Sequence, residues 1–326
     1  MINNIALIIS ITLMYSTPLI FAALGGVMSE KSGVINIGLE GMMTIGAFAG
    51  AAAGVLTGNP WAAFCIAGIA GGIFGLIHAL ASVTLYANQV VSGIAINFIG
   101  PGIALFLSRI IFEGATMTPL IPLENKMPRP FNNLFTLLNN RLPEPLNNFF
   151  ARNSVMDLIF NQYITVYMAF VLVAIVWFVL YKTKTGLRIR AVGEHPKASD
   201  TLGVNVYKIR YFCVIISGVL AGFGGASLSL AIVSTFRATL VSGQGFIALA
   251  AVIFGKWKPQ GALIACLIFG LATGLRIYLG GATVGLDISE NLLSMLPYII
   301  TLIALVGFVG KSVAPGSLGI PYEKED

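Results

Sequence analysis

The chain has 326 residues, of which 57% are hydrophobic and 10% charged, with a formal net charge of +6 and a mean hydropathy of +0.89. An ordinary soluble domain carries about a quarter charged residues, so this composition excludes a soluble enzyme or binding module and defines an integral membrane protein. The basic residues lie between apolar runs instead of forming a continuous stripe, so the positive charge reads as membrane topology and not as a nucleic-acid surface.

Runs near the roughly 20 residues that cross a bilayer fall at Ile5–Leu24, Val34–Leu56, Trp61–Tyr86, Val90–Ile111, Tyr163–Tyr181, Tyr211–Ile232, Phe246–Phe254 with its upstream flank, Gly261–Leu279 and Leu292–Val309. They predict an all-α polytopic bundle of about 9–10 transmembrane helices, some of them broken, in a single domain over residues 1–326. No Lys or Arg precedes the first run, and a signal peptide needs a basic start, so that run is a span. The second opens with "GVINIGLEGMMTIG", where Asn36 and Glu40 stand one helical turn apart, hence on the same face. Gly46, Gly50 and Gly54 recur at four-residue spacing, as do Gly68 with Gly72, Gly71 with Gly75, Gly218 with Gly222 and Gly270 with Gly274. That spacing predicts flat helix faces and close backbone packing. The fourth run carries Gln89, Ser92 and Asn97 ahead of Pro101, which predicts a kink.

Between the fourth and fifth runs, residues 114–161 carry Pro119, Pro122, Pro128, Pro130, Pro143 and Pro145 with many Asn. This is loop chemistry, with room for a short interfacial helix around Phe131–Leu138. The connection 182–210 holds Lys182, Lys184, Arg188, Arg190, Lys197, Lys208 and Arg210 and is therefore cytoplasmic. Counting outward from it puts Lys31, Lys256, Lys258, Lys311 and Lys324 inside. The same count places 114–161, the N-terminus and the "GLDISEN" loop with Asp287 and Glu290 outside.

Within that connection Pro196 suits the first turn of a helix, where its missing N–H is unpaired anyway. Lys197–Leu202 supplies one or two turns, and Gly203 suits a left-handed stop. A topology signal needs the charges but not this layout, which fits a docking knob for a cytoplasmic partner. Ser242, Gly243, Gln244 and Gly245 loosen the start of the seventh run. "GNPWAA" at Gly58 and "GKWKPQGA" at Gly255 each join two Gly-rich runs on opposite sides, a weak sign of inverted repeats.

Catalysis has little to work with. Cys65, Cys213 and Cys266 sit singly in apolar runs, and His78 and His195 have no acidic partner pattern. "GKS" at Gly310–Ser312 lacks the leading glycine of a phosphate loop, because Leu305 holds that position. "GFGGAS" from Gly222 has Ser227 where a dinucleotide loop needs its third glycine. Polar side chains at membrane depth face a cavity or another helix. Asn36, Glu40, Gln89, Ser92, Asn97 and Gln244 are accordingly candidates for a solute path, and equally for hydrogen bonds that hold helices together.

The stretch "GLRIRAVGEHPKASDTLGVNVYKIRYFCVIISGVLAGFGGA" resembles the coupling-loop signature of permease subunits in ABC importers of the branched-chain amino acid, simple sugar and nucleoside group. "GVINIGLEGMMTIGAFAG", "GFIALAAVIFGKWKPQGAL" and the tail "LGIPYEK" resemble its nucleoside-type branch. The resemblance implies a non-catalytic transport subunit in a bacterial inner membrane, paired with a second homologous permease and moving purine nucleosides. It also implies a cytoplasmic ATP-binding subunit and an external substrate-binding lipoprotein. This chain would hold no cofactor, ATP and Mg being bound by the partner ATPase. By position, Gly193, Glu194, His195, Pro196, Asp200, Leu202 and Gly203 fall at the ATPase contact, and Asp287 and Glu290 become candidates for docking the external receptor. A simple-sugar importer is the alternative within the group; outside it stand an ion-coupled secondary transporter or channel, and a structural membrane partner.

Overall fold

The computed structural model describes residues 2–141, 151, 154–280, 292–293, 295, 299–300, 303 and 313–324, and every described segment of regular structure is helical. In chain order the helices are α1 (Ile2–Lys31), α2 (Leu39–Thr57), α3 (Pro60–Ala79, continued by a π-helical turn, Leu80–Thr84) and α4 (Gln89–Ile111). There follow two short helices, α5 (Asn132–Arg141) and α6 (Val155–Phe160), the latter packed on α1, then α7 (Ile164–Lys182), α8 (Lys184–Glu194) and α9 (Pro196–Thr201). The chain continues with α10 (Val206–Ser227, continued by a π-helical turn, Leu228–Ile232), α11 (Gln244–Phe254) and α12 (Pro259–Leu279).

Among the described residues, α1, α2, α3, α4, α7, α10 and α12 are long and apolar enough to cross a membrane. Polar caps set several starts: Asn59 accepts from the amides of Trp61 and Ala62, Asn88 from Val90 and Val91, and Asn205 from Lys208. Each of these side chains satisfies amides that a helix start leaves unpaired.

Two expected spans are corrected. The seventh run is not a crossing helix, because residues 233–243 form turns and α11 has only 11 residues. At 1.5 Å per residue it is about 16 Å long, half the hydrocarbon thickness. The second run does not begin at Val34 either; residues 32–38 are non-helical and α2 starts at Leu39. Asn36 and Glu40 are therefore not a turn apart on one helix. Pro101 lies within one uninterrupted helix. Most of Leu292–Val309, with Asp287 and Glu290, lies outside the described residues.

The breaks expose an internal repeat. A long helix, a non-helical linker, a second helix, a tight turn and a third helix starting on proline occur twice: α1, 32–38, α2, α3 from Pro60, and α10, 233–243, α11, α12 from Pro259. The two "Gly-Trp-Pro" joints are the corresponding turns. Packing is exchanged between the copies, α1 lying on α12 and α11 while α10 lies on α3 and α2, and α1 meets α10. With α1 and α10 running in opposite directions by the basic-residue count, the copies are inverted.

Glycine decides how close the copies come. A Cβ on Gly71 would sit 2.2 Å from the Gly218 carbonyl oxygen, and one on Gly46 2.4 Å from the Gly222 Cα. Those contacts are backbone to backbone, so no side chain can move aside. In lipid, with no hydrophobic force between helices, this van der Waals contact is what holds them together. Gly71→Ala should lower the thermal midpoint of the purified protein in a heating and size-exclusion assay, by the equivalent of about 1–3 kcal/mol of overpacking. Gly102→Ala, where an added Cβ meets nothing within 4 Å, should leave the midpoint unchanged.

Candidate functional site

Two features set this bundle apart from a plain set of spans. One is the pair of helix breaks in its interior; the other is the exposed α8–α9 loop at its basic end.

The first linker, 32–38, is an irregular backbone inside a membrane bundle, so its polar groups need protein partners. The Ile35 amide donates to Gln89 Oε1 (2.7 Å) and its carbonyl accepts from His78 Nε2 (2.9 Å), while His78 Nδ1 pairs with the Ser92 hydroxyl (2.9 Å). Asn97 spans the start of α2, donating from Nδ2 to the Ile37 carbonyl (3.0 Å) and accepting at Oδ1 from the Gly41 amide (2.8 Å). Ser29 donates to the Val34 carbonyl (2.7 Å), and Asn36 Nδ2 donates to Ser217 on α10 (2.8 Å). The second linker is held differently. Besides Glu40, described next, its partners come from segment 114–127: the Thr118 and Ile121 amides donate to the Phe236 (3.2 Å) and Ser234 (2.8 Å) carbonyls, the Phe236 amide to the Thr118 hydroxyl (2.9 Å) and the Thr235 hydroxyl to the Thr118 carbonyl (2.8 Å).

Glu40 joins the two breaks. Its Oε1 accepts from the Gly243 amide and its Oε2 from the Gly245 amide, both at 2.7 Å. A carboxylate from the first turn of α2 thus caps the first turn of α11, where unpaired amides and the helix dipole favour a negative charge. Gly245 permits this approach, since a Cβ there would lie 2.4 Å from the Glu40 amide nitrogen. Glu40, Asn97 and Gln244 are only partly buried, and the neighbouring Ser242, Phe246 and Phe98 are exposed. Glu40 thus joins the starts of α2 and α11, with Asn97 of α4 bonded to the adjacent Gly41 amide, at a half-open polar node.

At the basic end, α9 follows the expected layout. Pro196 opens it, Gly203 stands at φ +80, and the Gly203 amide donates to the Asp200 carbonyl (2.8 Å). Glu194, His195, Lys197, Thr201, Leu202 and Gly203 are exposed, and Leu202 is 83% exposed, a large apolar side chain at the tip of a charged loop. Gly193 is buried, with room for no Cβ against the Lys31 carbonyl oxygen, 2.2 Å away.

The site residues read from sequence therefore separate into groups. Gly193, Glu194, His195, Pro196, Asp200, Leu202 and Gly203 form one projecting loop. Asn36, Gln89, Ser92 and Asn97 gather on the first linker, and Glu40 and Gln244 gather at the start of α11. Sequence reasoning missed α8, although its apolar Ile189 and Val192 are spaced for one buried face. It also missed His78 as a linker partner, Ser217 opposite Asn36, and the Glu30 carboxylate that accepts from the indole Nε1 of Trp257.

Repeated, broken helices around a central polar node define a multi-pass membrane transport subunit. The chain belongs to the family described as branched-chain amino acid transport system / permease component, which residues 8–305 match. It is 43% identical to the guanosine ABC transporter permease protein NupQ of Bacillus subtilis (strain 168), over 99% of this chain and 98% of that one. Its identity to the nucleoside ABC transporter permease protein NupC of Lactococcus lactis subsp. cremoris (strain MG1363) is 40%, over 99% and 98%. It is also similar to a second guanosine ABC transporter permease protein of B. subtilis, NupP, at 27% over 81% of this chain and 72% of that one. No solved structure matches.

Glu40→Ala strips two amides of their acceptor at a partly buried helix start, which costs up to about 1–3 kcal/mol per unsatisfied group. The thermal midpoint of the purified protein should fall accordingly. Glu40→Gln, which keeps one acceptor oxygen, should fall about half as far.

Proposed function

We propose that this chain is one of two non-identical permease subunits of an ATP-driven importer of nucleosides in a bacterial inner membrane. What supports the solute class is full-length similarity to permeases named for guanosine and for nucleosides. That B. subtilis has two such guanosine permeases of different sequence, both similar to this chain, supports a heterodimer.

In this reading the α9 loop seats on a separate cytoplasmic ATPase, with Leu202 as its apolar contact and Pro196, Asp200 and Gly203 holding its shape. ATP and Mg belong to that partner, and this chain does no covalent chemistry. An external lipoprotein delivers the solute on the opposite side; Asp287 and Glu290 are kept as its candidate contacts.

The solute path runs past the node. Phe98 and Phe246 offer aromatic faces on which a base can stack. Glu40, Asn97 and Gln244 offer hydrogen-bonding groups, while Asn36, Gln89 and Ser92 act behind them by fixing the linker. The observation that carries the reading is α9 itself: a proline-started, glycine-stopped helix with an exposed leucine, held at the basic end of a permease bundle.

The test is ATP-dependent guanosine uptake by the complex reconstituted with its ATPase, second permease and lipoprotein. Gly203→Pro forbids the positive φ and removes the amide that closes the turn. It should leave membrane abundance unchanged and lower uptake by roughly 5- to 150-fold, with ATP hydrolysis persisting. Asp200→Lys should act the same way. Uptake by this chain alone, driven by a proton or sodium gradient, would refute the proposal.

A further inference from the structure

The tail "LGIPYEK" has no role in the function proposed above, yet it is built into the basic end of the bundle. From residue 314 onward it crosses beneath the docking loop and touches three separate elements.

The first is the loop. The Gly316 amide donates to Glu194 Oε2 (2.9 Å), and Ser317 donates to the Gly193 carbonyl from both its amide (2.9 Å) and its hydroxyl (2.6 Å). Tyr322 is buried with Val192 and Val206 and tilts against the Tyr207 ring at 5.7 Å. The second is the first linker, where the Gly319 amide donates to the Gly33 carbonyl (3.1 Å). The third is α10, where Arg210 donates from Nη1 to the Ile320 carbonyl (3.0 Å).

Arg210 makes the junction unusual. It is 1% exposed, and among the described residues its Nε and Nη2 have no hydrogen-bond partner. A Cβ on Gly33 would lie 3.0 Å from Nη2, so the guanidinium is wedged between tail and linker. A buried, under-satisfied charge is costly, and a merely stable end would do better with an apolar side chain. Its geometry does serve to fix the tail against α10 at the point where the linker passes.

We infer that residues 314–322 form a strap that makes the docking loop, the start of α10 and the 32–38 linker move as one body. A displacement delivered at α9 then reaches the base of α2 and Glu40 instead of being absorbed by flexing of the loop. This rests on the reading of α9 as the ATPase seat. Ser317 and Tyr322 are positioning residues here, and neither touches solute or nucleotide.

Two full-length variants of the reconstituted complex test it. Ser317→Ala with Tyr322→Ala should keep the ATPase bound and hydrolysing but lower guanosine moved per ATP by roughly 2- to 30-fold. An unchanged ratio overturns the strap. The second is a disulfide between Val192→Cys and Ser317→Cys, neither of them placed at the ATPase contact, in a Cys65→Ser background because Cys65 is the exposed cysteine. The Ser317 hydroxyl lies 3.2 Å from the Val192 carbonyl oxygen, and mass spectrometry confirms the bridge before transport is measured. Because loop and strap travel together, the oxidised complex should transport as fast as the reduced one. Transport that stops on oxidation and returns on reduction shows that the strap must release, and overturns the inference. If the unmodified chain never retains an ATPase, the docking reading itself is overturned, and that result is distinct from the other two.

Discussion

The bidentate contact between Glu40 and the start of α11 is the constraint on which the interior depends. A helix that begins inside a membrane leaves its first amides without water and without intrahelical partners. α11 begins in this way after a non-helical linker, and the carboxylate of Glu40 takes two of its amides at 2.7 Å. The carboxylate is supplied by the other repeat, from the first turn of α2. Each break is therefore stabilised by the existence of the other, and the two cannot shift independently without stranding a charge or a pair of amides. A central region built in this way has few intermediate arrangements, which suits a device that must alternate between two.

The same logic explains why the two linkers recruit different partners. The first lies toward the basic end, enclosed by α3, α4 and α10, and side chains from those helices reach it: His78, Gln89, Asn97 and Ser217. The second lies toward the opposite end, and the Pro-rich outer segment lays its own backbone beside it, from Met117 to Met127. That segment is thus more than a connection. By pairing with 233–243 it is tied to the start of α11, just as the loop around Gly193, packed on the Lys31 carbonyl, is tied to the start of the first linker.

How far the sequence revealed this depended on whether the signal was local. Hydropathy placed the spans because apolar length is a property of one segment. The proline and glycine around α9 placed that helix, and glycine spacing foretold the backbone contacts between Gly71 and Gly218, because each is written within a few residues. The break at 32–38 was hidden: Val34, Ile35 and Ile37 continue the apolar run, and only partners distant in sequence show that the backbone there is not helical. α8 was hidden by its charges, which read as topology while Ile189 and Val192 turned inward. His78 looked inert for the same reason. A lone histidine in an apolar run carries no pattern, and its bonds to Ile35 and Ser92 exist only once α3, α4 and the linker are assembled.

The polar residues of the bundle bear on how selectivity can arise. Of six side chains that sequence alone offered for a solute path, Asn36, Gln89, Ser92 and Asn97 are bonded to the linker, its helix start or the residues that hold it. Glu40 is bonded to α11, and among the described residues Gln244 Oε1, Asn36 Oδ1 and Gln89 Nε2 are buried and without a partner. A hydrophilic solute needs several directed partners to be recognised in a water-poor path, and this surface presents too few alone. Two such surfaces facing each other would double the number, and two that differ would read the two ends of an asymmetric solute such as a base and a sugar.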